Sequence, residues 1–182
     1  RRAVGDSRRT EVRDSLSACS AVDGQDGSYA PADPAEGTSK VWGASRGGGL
    51  HTLEGHTGGA VSAVFSPDGH DVLTASDDGM AKLWSASSGE CLRTLEGHAR
   101  PEWGGSISAV FSHDGQEVLT ASTDPTDRTS KLWSASSGEC LHTLEGHTGG
   151  VFSAVFSPDG QEVLTASYNG MAKLWSASSG EC

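Results

Sequence analysis

Three times along the chain a histidine, a threonine, an acid or amide, and a tryptophan recur in the same order. The sets are His56, Thr74, Asp78 and Trp84; His98, Thr120, Asp127 and Trp133; and His147, Thr165, Asn169 and Trp175. A hydroxyl, an imidazole and a carboxylate are the parts of a nucleophile, its base and the group that orients the base. Read that way, each set is a hydrolase centre in which Thr attacks and His takes its proton. An active site, however, has no reason to be copied into every repeat. Buried polar groups must also be paired, and a paired group of this kind fixes strand register where apolar packing alone would allow slippage. The structural role is the better reading, and the chain is expected not to be an enzyme.

No other chemistry is written in the sequence. No paired-carboxylate site or metal-ligand spacing appears, and the SSGE and GGG stretches lack the strand-to-helix context of a phosphate loop. Neither a cofactor nor a metal is expected. Four cysteines stand at 19, 91, 140 and 182, with no C-x-x-C pair. They read as free thiols at strand starts, which favours a reducing compartment, cytoplasmic or nuclear.

Composition narrows the class further. Of 182 residues 35% are hydrophobic and 20% charged, and no apolar run approaches a membrane span. Gly 25 is about twice the usual share and points to many tight turns. The net charge of −11 is uneven: residues 1–13 carry five Arg against Asp6 and Glu11, so the remainder carries −14. A body that acidic repels nucleic acid and anionic lipid, whose binding needs cationic side chains. The Arg-rich start reads as a solvated end rather than a targeting arm, because a transit peptide is poor in acids. Opening on Arg1, the chain is expected to be a fragment or a processed product.

The elements that must position the recurring residues follow from a repeat. Trp42, Trp84, Trp133 and Trp175 are spaced by 42, 49 and 42 residues, and His56, His98 and His147 by 42 and 49. Residues 49–90 and 140–181 are identical at 35 of 42 positions, differing only at 49, 60, 61, 70, 71, 77 and 78. Shifted by 91, residues 17–42 match 108–133 at twelve of 26 positions, so the N-terminal part is a decayed fourth copy. Within one copy VSAVFS, DVLTAS, MAKLWSA and CLRTL are short β-branched and apolar runs separated by Pro-Asp-Gly, Asp-Asp-Gly and Ser-Ser-Gly. They predict strands, and nothing between them is long enough for a helix. Four antiparallel strands per copy, apolar on both faces, describe stacked small sheets.

On Gly-His, then SPDG, then SDDG-M-A-K-L-W, the sequence resembles the WD-repeat family. One departure is consistent: Ser85, Ser134 and Ser176 follow the Trp where the family has Asp, and Gly43 does so in the decayed copy. The resemblance implies an all-β β-propeller with three clear blades (49–90, 91–139, 140–182) and a degenerate one (1–48). It further implies that Asp accepts from His and that Thr bridges His to the indole N–H. Asn169 is expected still to accept from His147, without charge assistance. The decayed set, Ser7, Tyr29 and Glu36 with Trp42, is expected to be incomplete. Ring closure stays open between a small ring, an arc and half of an eight-blade dimer. Cys182 stops before its blade's last strand, and only RRAVGDS (1–7) aligns with that strand, poorly. An uncovered edge of this kind invites self-association.

Function is expected where the copies differ. The resemblance puts the loop after Gly-His and the Asp turn on one face, the top, and positions 60, 61, 77 and 78 fall there. The 49-residue copy adds four residues between His98 and Phe111 and three between Thr120 and Asp127. These bring Arg100, Glu102, Trp103, Asp124 and Arg128, and Tyr168 replaces the Asp77 of the earlier copy. Aromatic and Arg side chains on loops of a rigid scaffold are the composition of a protein-recognition hot spot. Alternatively Trp103 covers its own blade. The chain is therefore expected to be a non-catalytic scaffold for protein or peptide partners. The competing reading is the C-terminal regulatory part of a larger signalling enzyme, a kinase or a nucleotide-binding protein.

Overall fold

A computed structural model describes residues 32–33, 38–41, 51–99 and 105–182. Fourteen strands run through them, and no helix does. β1 (Ala32–Asp33), β2 (Thr38–Val41) and β3 (His51–Glu54) form the first sheet. The second contains β4 (Ala60–Phe65), β5 (Asp71–Ser76), β6 (Met80–Ser85) and β7 (Cys91–Glu96). The third contains β8 (Ile107–Phe111), β9 (Glu117–Ser122), β10 (Ser130–Ser134) and β11 (Cys140–Leu144). β12 (Val151–Phe156), β13 (Glu162–Ser167) and β14 (Ala172–Ser176) make the fourth. All pairing is antiparallel between chain neighbours, so each sheet is a meander, a propeller blade. Among the described residues the sheets do not close into a ring.

Sheets and sequence copies are offset by one strand. β7 opens the copy 91–139 yet completes the sheet of the copy before it, as β11 does for the third sheet. Each blade is thus stitched to its successor through the chain itself.

Strands that are apolar on both faces are explained by the stacking. On β5 Val72 and Thr74 point one way and Leu73 and Ala75 the other, and all four are buried. Leu73, Ala75, Ala81 and Leu83, with Leu95 of β7, pack on Ile107, Ala109, Val118 and Trp133 of the third sheet. Leu119, Ala121 and Leu132, with Leu144 of β11, pack in the same manner on Val151, Ala154, Val163 and Trp175 of the fourth. Leu53 of β3 joins Val72 and Trp84. Each interface therefore sets the same row of Leu and Ala against a row of Val, Ala and Trp. The top loops also meet: a Cβ on Gly150 would lie 2.1 Å from the Thr123 carbonyl oxygen, so only glycine allows that approach.

Candidate functional site

β5 and β6 carry Thr74 and Trp84, the turn between them carries Asp78, and the loop after β3 brings in His56. His56 Nδ1 stands 3.0 Å from Asp78 Oδ2 and Nε2 stands 2.8 Å from Thr74 Oγ1. Trp84 Nε1 donates to the same Thr74 Oγ1 at 2.8 Å. A carboxylate only accepts, so Nδ1 carries the imidazole proton, Nε2 accepts from the Thr hydroxyl, and that hydroxyl accepts from the indole. Asp78 also takes the Thr57 N–H on Oδ2 and the Met80 N–H on Oδ1, which holds its turn.

The third sheet repeats this geometry despite its longer turn. His98 Nδ1 is 2.9 Å from Asp127 Oδ2, Nε2 is 2.7 Å from Thr120 Oγ1, and Trp133 Nε1 donates to Thr120 at 2.8 Å. Burial alone would raise the Asp127 pKa, but hydrogen bonds from His98, Thr129 and the Ala99 N–H outweigh it and hold it at about 2. For Asp78, burial is likewise outweighed by the Thr57 N–H and His56, and its pKa is lowered. Burial lowers the His56 pKa, and Asp78 only partly offsets that, so the imidazole is neutral at pH 7.

The fourth sheet corrects one expectation. His147 Nε2 reaches Thr165 Oγ1 at 2.8 Å and Trp175 Nε1 donates to Thr165 at 2.8 Å, but His147 Nδ1 is buried without a partner. No hydrogen bond of normal geometry joins Nδ1 to Asn169, and the nearby amide raises the His147 pKa less than burial and the Lys173 charge lower it. The turn's Met171 N–H claims Asn169 Oδ1 at 2.9 Å, as Met80 claims Asp78 Oδ1. That leaves the amide nitrogen where Asp78 has its second oxygen, and the nitrogen donates to Thr148 Oγ1 at 3.1 Å. An NH2 cannot accept from a histidine N–H.

Chemically these groups crosslink strands. The Thr74, Thr120 and Thr165 side chains are fully buried, and each hydroxyl oxygen is already shared by an imidazole and an indole. Their hydroxyls have no path to a substrate. Among the described residues no group of three His, Cys, Asp or Glu side chains is placed to hold a metal. Cys91, Cys140 and Cys182 are exposed free thiols, and among the described residues no helix is long and apolar enough to cross a membrane.

The surface residues divide differently. Arg100, Glu102 and Trp103 lie outside the described residues. Asp124, expected to face a partner, is instead 2% exposed: its carboxylate folds back on the Thr126 N–H and hydroxyl, both at 2.6 Å, and shapes the inserted turn. Arg128 is exposed in the left-handed region (φ 58°), with its Nε donating to the Pro125 carbonyl. Tyr168 is 71% exposed and meets a residue that the sequence pattern does not single out: the Phe152 ring lies 5.0 Å away, tilted by 40°. Phe152 is the extra residue of a β-bulge between Val151 and Ser153, a device that re-aims a side chain. Its signal in the sequence is the Val61-to-Phe152 difference between copies.

Comparison with family models finds three matches to the WD domain, G-beta repeat, at residues 47–85, 89–134 and 138–176. No curated protein matches the chain significantly. The three matches cover well over half of the sequence and coincide with the strands and buried His–Thr–Trp groups described above, and the chain belongs to the WD-repeat family.

Proposed function

We propose that this chain is a non-catalytic scaffold that grips a protein or peptide partner on its top face. The contact is centred on Phe152 and Tyr168, with Arg128, Arg100, Glu102 and Trp103 of the longest repeat as further contact residues. The observation that carries the reading is the exposed aromatic pair. Two sequence copies otherwise almost identical differ at seven positions, and two of those changes create Phe152 and Tyr168. Packing accounts for neither: Tyr168 is 71% and Phe152 47% exposed. Large exposed aromatic side chains are among the groups on which interface energy concentrates. The same two copies exchange Asp77 and Asp78 for Tyr168 and Asn169, which removes two carboxylates from this part of an acidic protein.

The test is partner capture by crosslinking with the Phe152→Ala/Tyr168→Ala and Trp103→Ala/Arg128→Ala double variants. Both are expected to melt like wild type and to lose capture by about tenfold or more, the effect of removing one hot-spot anchor. Equal capture by wild type and both variants refutes the assignment.

A further inference from the structure

One recurring turn has a chemistry that neither the buried His–Thr–Trp groups nor the top face uses. Ala-Ser-Ser-Gly-Glu follows β6, β10 and β14, at 86–90, 135–139 and 177–181. Gly89, Gly138 and Gly180 have φ of 74°, 77° and 72°, and each N–H returns at 2.8 Å to the carbonyl of Ser85, Ser134 or Ser176. The turn is thus held in one shape, and both of its serines are exposed in every copy. A glutamate stands three residues after the first serine: Glu90 after Ser87, Glu139 after Ser136 and Glu181 after Ser178.

The outer strand of the preceding sheet touches each turn, and there the copies differ. Arg93 of β7 crosses to the third sheet, where its Nε at 3.1 Å and Nη2 at 2.8 Å both donate to the Ser136 carbonyl. Its Nη1 donates to the Leu92 carbonyl at 2.6 Å. Between the third and fourth sheets the same place is held by His142, whose Nε2 lies 3.1 Å from the Ser178 carbonyl oxygen. Between the first and second it is held by His51: a Cβ added to Gly89 would lie 2.9 Å from the His51 Cβ. Of the three side chains only Arg93 carries a permanent charge. Its three contacts are all to neutral carbonyl oxygens, and a guanidinium has five N–H donors, so two remain for an acceptor beside Ser136.

We propose that Ser136 is a phosphorylation site for an acid-directed serine kinase, and that Arg93 receives the phosphate and so clasps the second sheet to the third. Such a kinase selects serines by the charge pattern around them, and Glu139 supplies the acid on an exposed turn. Ser136 Oγ, whose contact is the exposed Ser134 Oγ at 3.1 Å, attacks the γ-phosphorus of magnesium-bound ATP. The Oγ–P bond forms as the bond from phosphorus to the β–γ bridging oxygen breaks; ADP leaves, and the hydroxyl proton passes to the kinase's base. The product adds about two negative charges and three acceptor oxygens to a residue whose carbonyl already holds a guanidinium. Arg matches phosphate with paired N–H donors where a neutral imidazole offers one, so the clasp is strongest at this seam. The site is independent of the top-face aromatic pair and of any partner there.

The 182-residue protein is incubated with magnesium, ATP and a purified acid-directed serine kinase, and the phosphate is located by fragmentation mass spectrometry. Labelling of Ser136 is expected, slowed about tenfold in Glu139→Gln, the worth of one charged contact. Labelling of a peptide spanning 131–142 but not of the folded protein would overturn the proposal, because the turn would then be closed to the kinase. Protein carrying phosphoserine at 136 from synthesis tests the clasp separately. Its amides over 91–96 and 134–139 should exchange about tenfold more slowly than those of the unphosphorylated protein. Arg93→Met should lose that slowing, and so should Arg93→His at about pH 8, where imidazole is neutral. Melting curves of the unphosphorylated variants confirm that they are folded. No slowing with phosphoserine at 136, or equal slowing in both Arg93 variants, would each overturn the proposal.

Discussion

Replacing Asn169 by Asp should stabilise this protein. In the second and third sheets a histidine Nδ1–H meets a carboxylate at 3.0 and 2.9 Å, while in the fourth the equivalent His147 Nδ1 is buried and unpaired. The new carboxylate would keep the Met171 N–H on one oxygen and present the other to His147, as Asp78 does with Met80 and His56. Satisfying a buried orphan and gaining a charge-assisted hydrogen bond is worth about 1.5–3 kcal/mol. Against that stand the lost amide contact to Thr148 at 3.1 Å, on the exposed side, and the partial desolvation of a new carboxylate. A net gain of about 1–2 kcal/mol remains, a rise of roughly 2–8 °C in Tm for a domain of this size.

Thermal melts at pH 7 measure it, and two controls make the reasoning strict. Asp78→Asn, the mirror change in the second sheet, should lower Tm by a similar amount. In a His147→Ala background the gain from Asn169→Asp should vanish, because the carboxylate then has no N–H to receive. The gain should also depend on pH. A carboxylate with a depressed folded-state pKa stabilises above its unfolded value and loses that contribution as pH falls through the folded value. The Asn169→Asp variant should therefore lose its advantage below about pH 4. A variant that melts at or below wild type while Asp78→Asn is destabilised would refute the hydrogen-bond account of the fourth sheet. So would a gain that survives His147→Ala.

Other consequences follow from the same groups. Thr120→Val removes the acceptor of the Trp133 N–H and the partner of His98 Nε2 at once, and should cost about 2–4 kcal/mol by urea titration. A loss below about 0.5 kcal/mol, the low end for one hydrogen bond, would deny the bridge its role. Gly150→Ala places a methyl against the Thr123 carbonyl oxygen, 2.1 Å away, and should destabilise by about 1–3 kcal/mol with faster proteolysis between the third and fourth sheets. An unaltered melt would show that these loops do not touch. Wild-type stability should fall in two stages on acidification. The first lies below the ordinary histidine value of 6.5, because burial holds His56 and His147 below it. The second lies below the ordinary carboxylate value of 3.8 and runs down to about 2, where Asp127 finally protonates. Urea midpoints measured from neutral pH down to the Asp127 value of about 2 check both, and stability rising on acidification below 6.5 would contradict the first.

Which of these features the sequence could disclose depends on whether a neighbour within the same repeat decides them. Strands, turns and the His–Thr–Trp groupings are local properties written three times over, so their spacing was legible, including the third sheet's, where insertions lengthen the path from Thr120 to Asp127. The fate of Asn169 was not legible. It turns on which of two side-chain atoms a turn N–H claims, and Asp hides that choice because its second oxygen accepts equally well. Asp124 misled for a related reason: a carboxylate in an inserted loop reads as surface charge until Thr126, two residues on, is found to bind it. Phe152 needed the bulge, since strict alternation does not tell where an extra residue points. The deepest limit is the offset between copy and sheet. A repeat read along the chain ends on its third inner strand, while the folded unit ends on a strand borrowed from the next copy. The Lys82–Thr94 and Lys131–Thr143 contacts, which join residues from different copies, are therefore invisible to any reading made one copy at a time.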